Sequence, residues 1–240
     1  MSELQPGLPE RLQAVRERFD RALEAAHREK TSATLIAVGK TFPVSAVELA
    51  WECGAREFGE NYVQEGVEKI DYFREHHPEA PGVWHFIGPL QSNKTRPVAE
   101  HFDWVHSIDR LKIAQRLSAQ RPESMPPLNV LIEVNVSGED SKSGVPPEEA
   151  IALAQEVAKL PRLVLRGFMA IPEPCTDPIA QRVPFQKLRA LLEEAKKTLP
   201  TLDTLSMGMS GDMEAAIMEG ATFVRVGSAI FGPRDYGHGH

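Results

Sequence analysis

The alternation of short apolar runs with amphipathic helical patterns constrains the fold more than any other feature of this sequence. Eight apolar runs have the length and composition of buried strands. They cover residues 34–40, 57–61, 84–88, 104–109, 129–136, 165–171, 204–208 and 223–232. Strands that alternate with helices form right-handed βαβ units, so the pattern predicts a parallel sheet.

Helical patterns precede and connect these strands. The first covers about residues 8–29, where Leu12, Val15, Phe19 and Leu23 recur at helical spacing. Seven more begin near Ser45, Tyr62, Asn93, Arg110, Pro147, Ile179 and Asp212. Asp109 and Asp212 stand where an N-cap is expected, because a carboxylate there accepts hydrogen bonds from the first turn of a helix.

A single (β/α)8 TIM-type barrel with an extra N-terminal helix fits this α/β order. An open doubly wound sheet is the alternative, but no Gly-x-Gly-x-x-Gly fingerprint follows the first strand. The 240 residues show no break in composition, which indicates one domain over residues 1–240. We expect residues 1–7 and 237–240 to be flexible.

Charge and composition exclude several classes of function. The formal net charge is −7 and the isoelectric point is about 5.7, which argues against nucleic acid as a partner. No apolar stretch reaches the ~18 residues of a membrane span, and the N-terminus lacks an apolar signal core. The sequence thus predicts a cytoplasmic protein with reduced thiols at Cys53 and Cys175. His238 and His240 are interpreted as a tail, so no metal is expected.

Lys40 ends the first apolar run and is the leading candidate for chemistry. A lysine at the end of a buried strand either marks the exit into solvent or presents its amine to a ligand. Burial lowers the pKa of a lysine, and a neutral amine can form a Schiff base with an aldehyde. In a barrel the active site lies at the C-terminal ends of the strands, which is where Lys40 would lie.

Two glycine- and serine-rich turns predict a phosphate site. Residues 206–212 read Ser-Met-Gly-Met-Ser-Gly-Asp and open a helix, whose N-terminal N–H groups and dipole favour an anion. In the last unit, Gly227 would let a phosphate approach the backbone and Ser228 would donate its hydroxyl. Either turn alone is commonly structural, but the loops after strands seven and eight form the usual phosphate site of this barrel.

Arg225 lies within the apolar run Phe-Val-Arg-Val-Gly, so its guanidinium needs a buried partner. One interpretation is a salt bridge to a core carboxylate such as Glu133. The other is a hydrogen bond to a ligand heteroatom. Because arginine has donors only and stays charged, a pyridine nitrogen facing it would remain unprotonated.

Asn61, His85 and Met207 also fall near predicted strand ends, and each has two interpretations. Asn61 either hydrogen-bonds a ligand oxygen or caps the next helix. His85 is either a base in the site or a satisfied core histidine. Met207 is either a packing residue or a thioether against a ligand ring.

Six motifs, in order along the chain, resemble those of the YggS/PROSC family of pyridoxal-phosphate homeostasis proteins. They are Ala-Val-Gly-Lys-Thr at 37–41, Phe-Gly-Glu-Asn-Tyr at 58–62, Trp-His-Phe-Ile-Gly-Pro-Leu-Gln-Ser-Asn-Lys at 84–94, Ser-Lys-Ser-Gly at 141–144, Leu-Ser-Met-Gly-Met-Ser at 205–210 and Arg-Val-Gly-Ser-Ala-Ile-Phe-Gly at 225–232. The resemblance extends from about Leu35 to Tyr236. Two positions depart from the family pattern: Gly39, where many members have serine, and Ser228, where threonine is common.

This resemblance implies a barrel similar to the N-terminal domain of bacterial alanine racemases, with pyridoxal 5′-phosphate (PLP) bound covalently to Lys40. Arg225 would face the pyridine nitrogen and Asn61 would lie near the ring. The full set of cofactor-binding residues expected from the resemblance and the strand ends is Lys40, Asn61, His85, Met207, Ser210, Arg225, Gly227 and Ser228.

Three functions follow as hypotheses. The preferred one is a non-catalytic, monomeric carrier that holds PLP and passes it transiently to apo-enzymes. A PLP-dependent racemase would need a base on each face of the substrate, and the second domain that supplies a tyrosine base in alanine racemases is not expected here. A barrel enzyme that binds another phosphorylated metabolite is the third. Within the loop 137–147, Lys142 is a candidate to take the aldehyde from Lys40 during release.

Overall fold

The computed structural model describes residues 7–138 and 143–233, and these form a closed eight-stranded parallel barrel surrounded by helices. The strands are β1 Thr34–Val38, β2 Glu57–Glu60, β3 Val83–Phe86, β4 Trp104–Ile108, β5 Leu128–Glu133, β6 Leu163–Met169, β7 Thr204–Ser206 and β8 Phe223–Val226. Each strand pairs in parallel with the next, and β8 pairs with β1 to close the barrel. The predicted barrel is therefore confirmed, and the open sheet is excluded.

The helices follow the predicted order. They are α1 Leu8–Ala25, α2 Val44–Glu52, α3 Val63–His76, α4 Thr95–His101, α5 Leu111–Gln120, α6 Pro147–Ala158, α7 Pro178–Ala195, α8 Met213–Met218 and α9 Ser228–Phe231, with a 3₁₀ turn at Ser92–Lys94 before α4. The predicted extra N-terminal helix is α1. Among the described residues, no helix has the length and apolar character needed to cross a membrane.

Side chains alternate between two apolar layers along the strands. In β1, Ile36 and Val38 belong to a cluster inside the barrel, whereas Ala37 belongs to the layer between barrel and helices. The interior cluster is Ile36, Val38, Ile87, Trp104, Leu131, Met169 and Phe223. A strand buried on both faces reads as a continuous apolar run, which explains why the strands were recognisable in the sequence.

The eighth unit differs from its prediction. A strand over 223–232 was expected, but β8 ends at Val226, Gly227 turns the chain with φ −112° and ψ −86°, and α9 follows. The apolar Ile230 and Phe231 are buried against α1 rather than in the sheet, and Arg11 donates hydrogen bonds to both of their carbonyl oxygens. Helix packing, not strand pairing, therefore explains the second half of this apolar run.

Of the two predicted N-caps, Asp109 is wrong, whereas Asp212 is confirmed in its position but not in its capping hydrogen bond. Helix α5 begins at Leu111 after Arg110, without a side-chain cap. Asp212 is the N-cap residue of α8, but its carboxylate makes no capping hydrogen bond and accepts one from the Met209 N–H at 2.7 Å instead. It stabilises the turn that precedes the helix.

Candidate functional site

A cavity of about 470 Å³ opens at the C-terminal ends of the strands, on the side of the barrel where β8 meets β1 and β2. Its walls come from the ends of β1, β2, β3, β6, β7 and β8 and the turns that follow them. The lining residues are Val38, Lys40, Asn61, Ile87, Ile171, Met209, Ser210, Gly211, Arg225, Gly227 and Ser228. Its size, its apolar walls and its few converging polar groups are typical of a small-molecule site.

Lys40 lies just beyond β1 and is half-buried at the cavity wall. The next residue, Thr41, has a φ of 70°, which is unusual for a β-branched residue. The Thr41 N–H donates to the Glu65 carboxylate at 2.5 Å. On the other side of Lys40, the Gly39 carbonyl oxygen accepts a hydrogen bond from Lys69 Nζ at 2.8 Å. The backbone on both sides of Lys40 is thus held by side chains of α3.

These side chains belong to an ion cluster in which Lys69 and Glu60 are buried and Glu65 is partly exposed. Lys69 Nζ lies 2.5 Å from Glu60 Oε1 and 2.9 Å from Glu65 Oε1. Burial raises the pKa of Glu60 to about 7, although the ammonium of Lys69 opposes the shift. The cluster lies between β2 and α3, directly beneath the Lys40 turn.

Asn61 follows β2 and reaches the same cavity. Helix α3 begins at Val63 with Tyr62 at the N-cap, so the predicted helix-capping role of Asn61 is not observed. Its side-chain Oδ1 is buried and finds no hydrogen-bond donor among the described residues. A buried amide without a partner is costly, so this group fits a site that a polar ligand completes.

The Asn61 backbone packs against Gly88, and this contact gives a testable prediction. A Cβ at residue 88 would overlap the Asn61 carbonyl oxygen and lie 2.8 Å from the Asn61 Cα. We expect Gly88→Ala to destabilise the protein by about 1–3 kcal/mol, as for other overpacked sites, measured by urea unfolding. Gly211→Ala is the matched control, because a Cβ there meets nothing within 4 Å. Equal stability of the two variants would contradict the prediction.

The two glycine- and serine-rich turns meet at one wall of the cavity. Gly208 has a φ of 100°, which turns the chain out of β7 into residues 209–212. In the described part of the chain, the backbone N–H groups of Ser210, Gly211, Gly227 and Ser228 donate no hydrogen bond. Converging N–H groups of this kind form an anion-binding concavity.

Arg225 forms the floor of the cavity, with its guanidinium buried. Its Nη1 donates to Ser206 Oγ at 2.5 Å and its Nη2 donates to the Ala170 carbonyl oxygen at 3.0 Å. The suggested salt bridge between Arg225 and Glu133 is not formed. No carboxylate of the described residues lies within ion-pair distance of the Arg225 guanidinium. Burial lowers the pKa of Arg225 to about 10, against the opposing effects of Asp212 and Glu133, so the group is cationic at neutral pH.

Glu133 ends β5 and is 6% exposed. Burial raises its pKa to about 7; the neighbouring Asp109 adds to the shift and Arg225 opposes it. The folded-state pKa of Glu133 lies above the ordinary value of 4.5. Its contribution to the free energy of unfolding is therefore fully present below pH 4.5. This contribution is lost as the pH rises through about 7.

Replacement of this carboxyl by an amide removes the pH dependence. We expect Glu133→Gln to gain stability relative to the parent protein between pH 5 and pH 8, by up to roughly 3 kcal/mol. Urea unfolding of both proteins at the two pH values measures the difference. A stability difference that is the same at pH 5 and pH 8 would show that Glu133 titrates normally.

The structure brings together six of the eight residues named from the sequence. Lys40, Asn61, Ser210, Arg225, Gly227 and Ser228 line one cavity. The other two do not line it. His85 is fully buried deeper in the barrel, and Met207 packs in the layer between barrel and helices. Lys142 and Tyr236 lie outside the described residues.

The sequence analysis missed several residues that line or support the cavity. Val38, Ile87 and Ile171 supply apolar walls, but nothing distinguishes them from ordinary core residues. Lys69 was recognisable, because it shares the buried face of α3 with Gly66, Ile70 and Phe73. A lysine on the apolar face of a helix indicates a buried partner.

Similar proteins share this fold over nearly the whole chain. The family model for the alanine racemase N-terminal domain matches residues 11–235. The pyridoxal phosphate homeostasis proteins of Vibrio cholerae and Pseudomonas aeruginosa are each 56% identical to this chain. The alignments cover 95% and 96% of this chain, respectively, and 97% of each relative.

A solved structure agrees with these sequence relatives. PipY of Synechococcus elongatus, determined with PLP bound, superposes with a TM-score of 0.80 at 34% sequence identity. The superposition covers 94% of this chain and 100% of PipY. This chain therefore belongs to the alanine racemase N-terminal-domain family and, within it, to the pyridoxal phosphate homeostasis proteins.

Proposed function

We propose that this protein binds PLP as a Schiff base on Lys40 and acts in intracellular PLP homeostasis, holding the cofactor and delivering it to apo-enzymes. The observation that carries the proposal is that Lys40, Arg225 and the two glycine- and serine-rich turns line a single cavity. The names of its relatives and the PLP-bound PipY structure support the choice of ligand.

The residues present fit each part of this ligand. Ser210, Gly211, Gly227 and Ser228 would hold the phosphate through backbone N–H groups and hydroxyls, and Arg225 would face the pyridine nitrogen. Asn61 would pair with a polar ring substituent, which satisfies its buried amide oxygen. When bound, the cofactor supplies an aldehyde that condenses reversibly with amines.

A carrier role is favoured over racemisation by the groups around the cavity. Racemisation needs a second base opposite the lysine, and tyrosine is the residue that the racemase hypothesis requires. Of the tyrosines in the described ranges, Tyr62 is 55% exposed and outside the cavity lining. Tyr72 donates its hydroxyl to Glu48 at 2.9 Å, between α2 and α3. The proposal includes a cytoplasmic, monomeric protein with transient contacts to apo-enzymes.

Borohydride reduction tests the Schiff base. The purified protein, loaded with PLP, is reduced and digested, and the adduct is located by mass spectrometry. We expect one predominant adduct, on the peptide that contains Lys40, with a visible absorbance band that reduction removes. Pyridoxal without the phosphate is the control and should label poorly, because the two turns lose their ligand. An adduct spread over surface lysines would refute the proposal, and a protein that takes up no PLP would favour the third hypothesis.

A second measurement separates the carrier from an enzyme. The loaded protein is mixed with an apo-enzyme that requires PLP, and the recovery of the acceptor's activity is followed. In parallel, alanine is incubated with the protein in deuterium oxide. We expect transfer to the acceptor without deuterium incorporation at Cα. Rapid incorporation of deuterium would instead identify the protein as a racemase-like enzyme.

A further inference from the structure

A continuous row of polar groups, buried except for the partly exposed Glu57, crosses the barrel interior beneath the cavity. Glu57 Oε1 lies 3.2 Å from His85 Nε2, and His85 Nδ1 lies 2.9 Å from His106 Nε2. His106 Nδ1 lies 2.8 Å from Ser206 Oγ, which accepts from Arg225 Nη1. The row connects β2, β3, β4, β7 and β8, and none of its three middle members lines the cavity.

When each histidine ring carries one proton, the Glu57 end fixes the direction of every hydrogen bond between Glu57 and Ser206. Arg225 only donates, and an ionised Glu57 carboxylate only accepts. With both rings neutral, His85 must donate from Nε2 to Glu57 and accept at Nδ1. His106 must then donate from Nε2 and accept the Ser206 hydroxyl at Nδ1. The opposite direction would place the lone pair of His85 Nε2 against the carboxylate.

We propose that His85, His106 and Ser206 form a one-way hydrogen-bond chain from Arg225 to Glu57, and that these residues position the Arg225 guanidinium for the ligand. The chain holds Nη1 through Ser206 while Ala170 holds Nη2. In this direction the Ser206 hydroxyl donates to His106, so the lone pairs of its oxygen remain available to the Arg225 guanidinium.

The surroundings of the histidines support this arrangement. His85 and His106 are both fully buried. Trp104 stacks on His85 at 5.6 Å between ring centroids, and Phe223 contacts both rings edge-on or tilted at 4.9 and 5.6 Å. Burial, with the nearby His85 and Arg225, lowers the pKa of His106 well below its ordinary value, so this ring is neutral. The close packing holds each ring in one orientation.

The hydrogen-bond chain can be tested in the complete protein without cofactor. Nitrogen-15 NMR of labelled histidines reports which ring nitrogen carries the proton, and the exchange rate of the Arg225 guanidinium protons reports how firmly this group is held. We expect His85 and His106 to be neutral with the proton on Nε2. A protonated Nδ1 on His106, whether in the other neutral tautomer or in the cation, would overturn the proposed direction.

Two variants interrupt the chain at different distances from Arg225. Ser206→Ala removes the direct contact, and His85→Phe keeps a ring of similar size but breaks the row at its third hydrogen bond from Arg225. We expect each to raise the exchange rate of the Arg225 protons by at least about tenfold, the equivalent of about 1.4 kcal/mol. The matched control is Ser118→Ala, which removes another buried serine hydroxyl, one that donates to Pro161. Exchange in His85→Phe equal to that in the control would overturn the positioning role.

The ligand-dependent part of this inference rests on the proposed function and has its own measurement. We expect Ser206→Ala to weaken PLP binding by about tenfold, whereas Ser118→Ala should bind normally. Normal binding by Ser206→Ala would contradict a positioning role toward the ligand. If the parent protein bound no PLP, the proposed function would fail. The cofactor-free spectra would still decide whether the hydrogen-bond chain from Arg225 to Glu57 exists.

Discussion

Replacing Lys40 with alanine is expected to abolish covalent retention of PLP while the barrel stays folded. Lys40 is half-buried at the cavity wall, so truncation of its side chain removes the amine without emptying the core. After borohydride reduction and denaturation, labelling should fall to background. The phosphate turns and Arg225 remain, so weaker, reversible binding should persist and can be measured by dialysis.

Two control variants separate the amine from other properties of the residue. Lys40→Arg keeps the positive charge but cannot form a Schiff base, because its guanidinium stays protonated. It should therefore also lose the covalent label. Lys94→Ala removes an exposed lysine outside the cavity lining and should label like the parent protein. Retained labelling in both Lys40 variants would show that another lysine carries the cofactor.

Replacing Lys69 with methionine is expected to cause the largest loss of stability among the variants considered. Methionine fills a similar volume but leaves Glu60 buried without a cation, and loss of one partner of a buried ion pair typically costs 3–5 kcal/mol. The Gly39 carbonyl oxygen loses its donor as well. Urea unfolding at pH 8 should show a loss of about this size, and attachment of PLP to Lys40 should slow.

The pH and a second substitution distinguish this explanation from simple loss of packing. The pKa of Glu60 is raised to about 7 even with Lys69 present, so at pH 5 the carboxyl is neutral. The deficit of Lys69→Met should therefore be smaller at pH 5 than at pH 8. Adding Glu60→Gln should recover part of the stability at pH 8, since no buried charge then remains. A deficit independent of pH and unchanged by Glu60→Gln would assign the effect to packing.

The order of the strands and the position of the candidate site were accessible from sequence because both depend on local patterns. Buried parallel strands read as apolar runs, and the C-terminal ends of such strands meet at one mouth. Lys40, Arg225 and the turn at Ser210 could thus be placed together although they are far apart in the chain. The motifs that resemble the family then indicated a ligand, which periodicity alone could not.

What remained hidden depends on contacts between distant elements. Ile230 and Phe231 look like strand residues, and only the packing of α9 on α1 shows otherwise. His85 has the pattern of a strand-end residue, but its partners, Glu57 and His106, lie on neighbouring strands. No sequence spacing predicts which ring nitrogen meets which acceptor.

The pairing of β8 with β1 has a consequence for how the protein matures. Lys40 follows the first strand and Arg225 lies in the last, with Ile36 and Arg225 in register across the seam. A ribosome must therefore release every residue from β1 through β8 before the two sides of the cavity can meet. Such non-local pairing forms late and slowly, and a ligand bound across the seam favours the closed state by mass action. A chain that has not yet paired β8 with β1 therefore lacks one wall of this cavity.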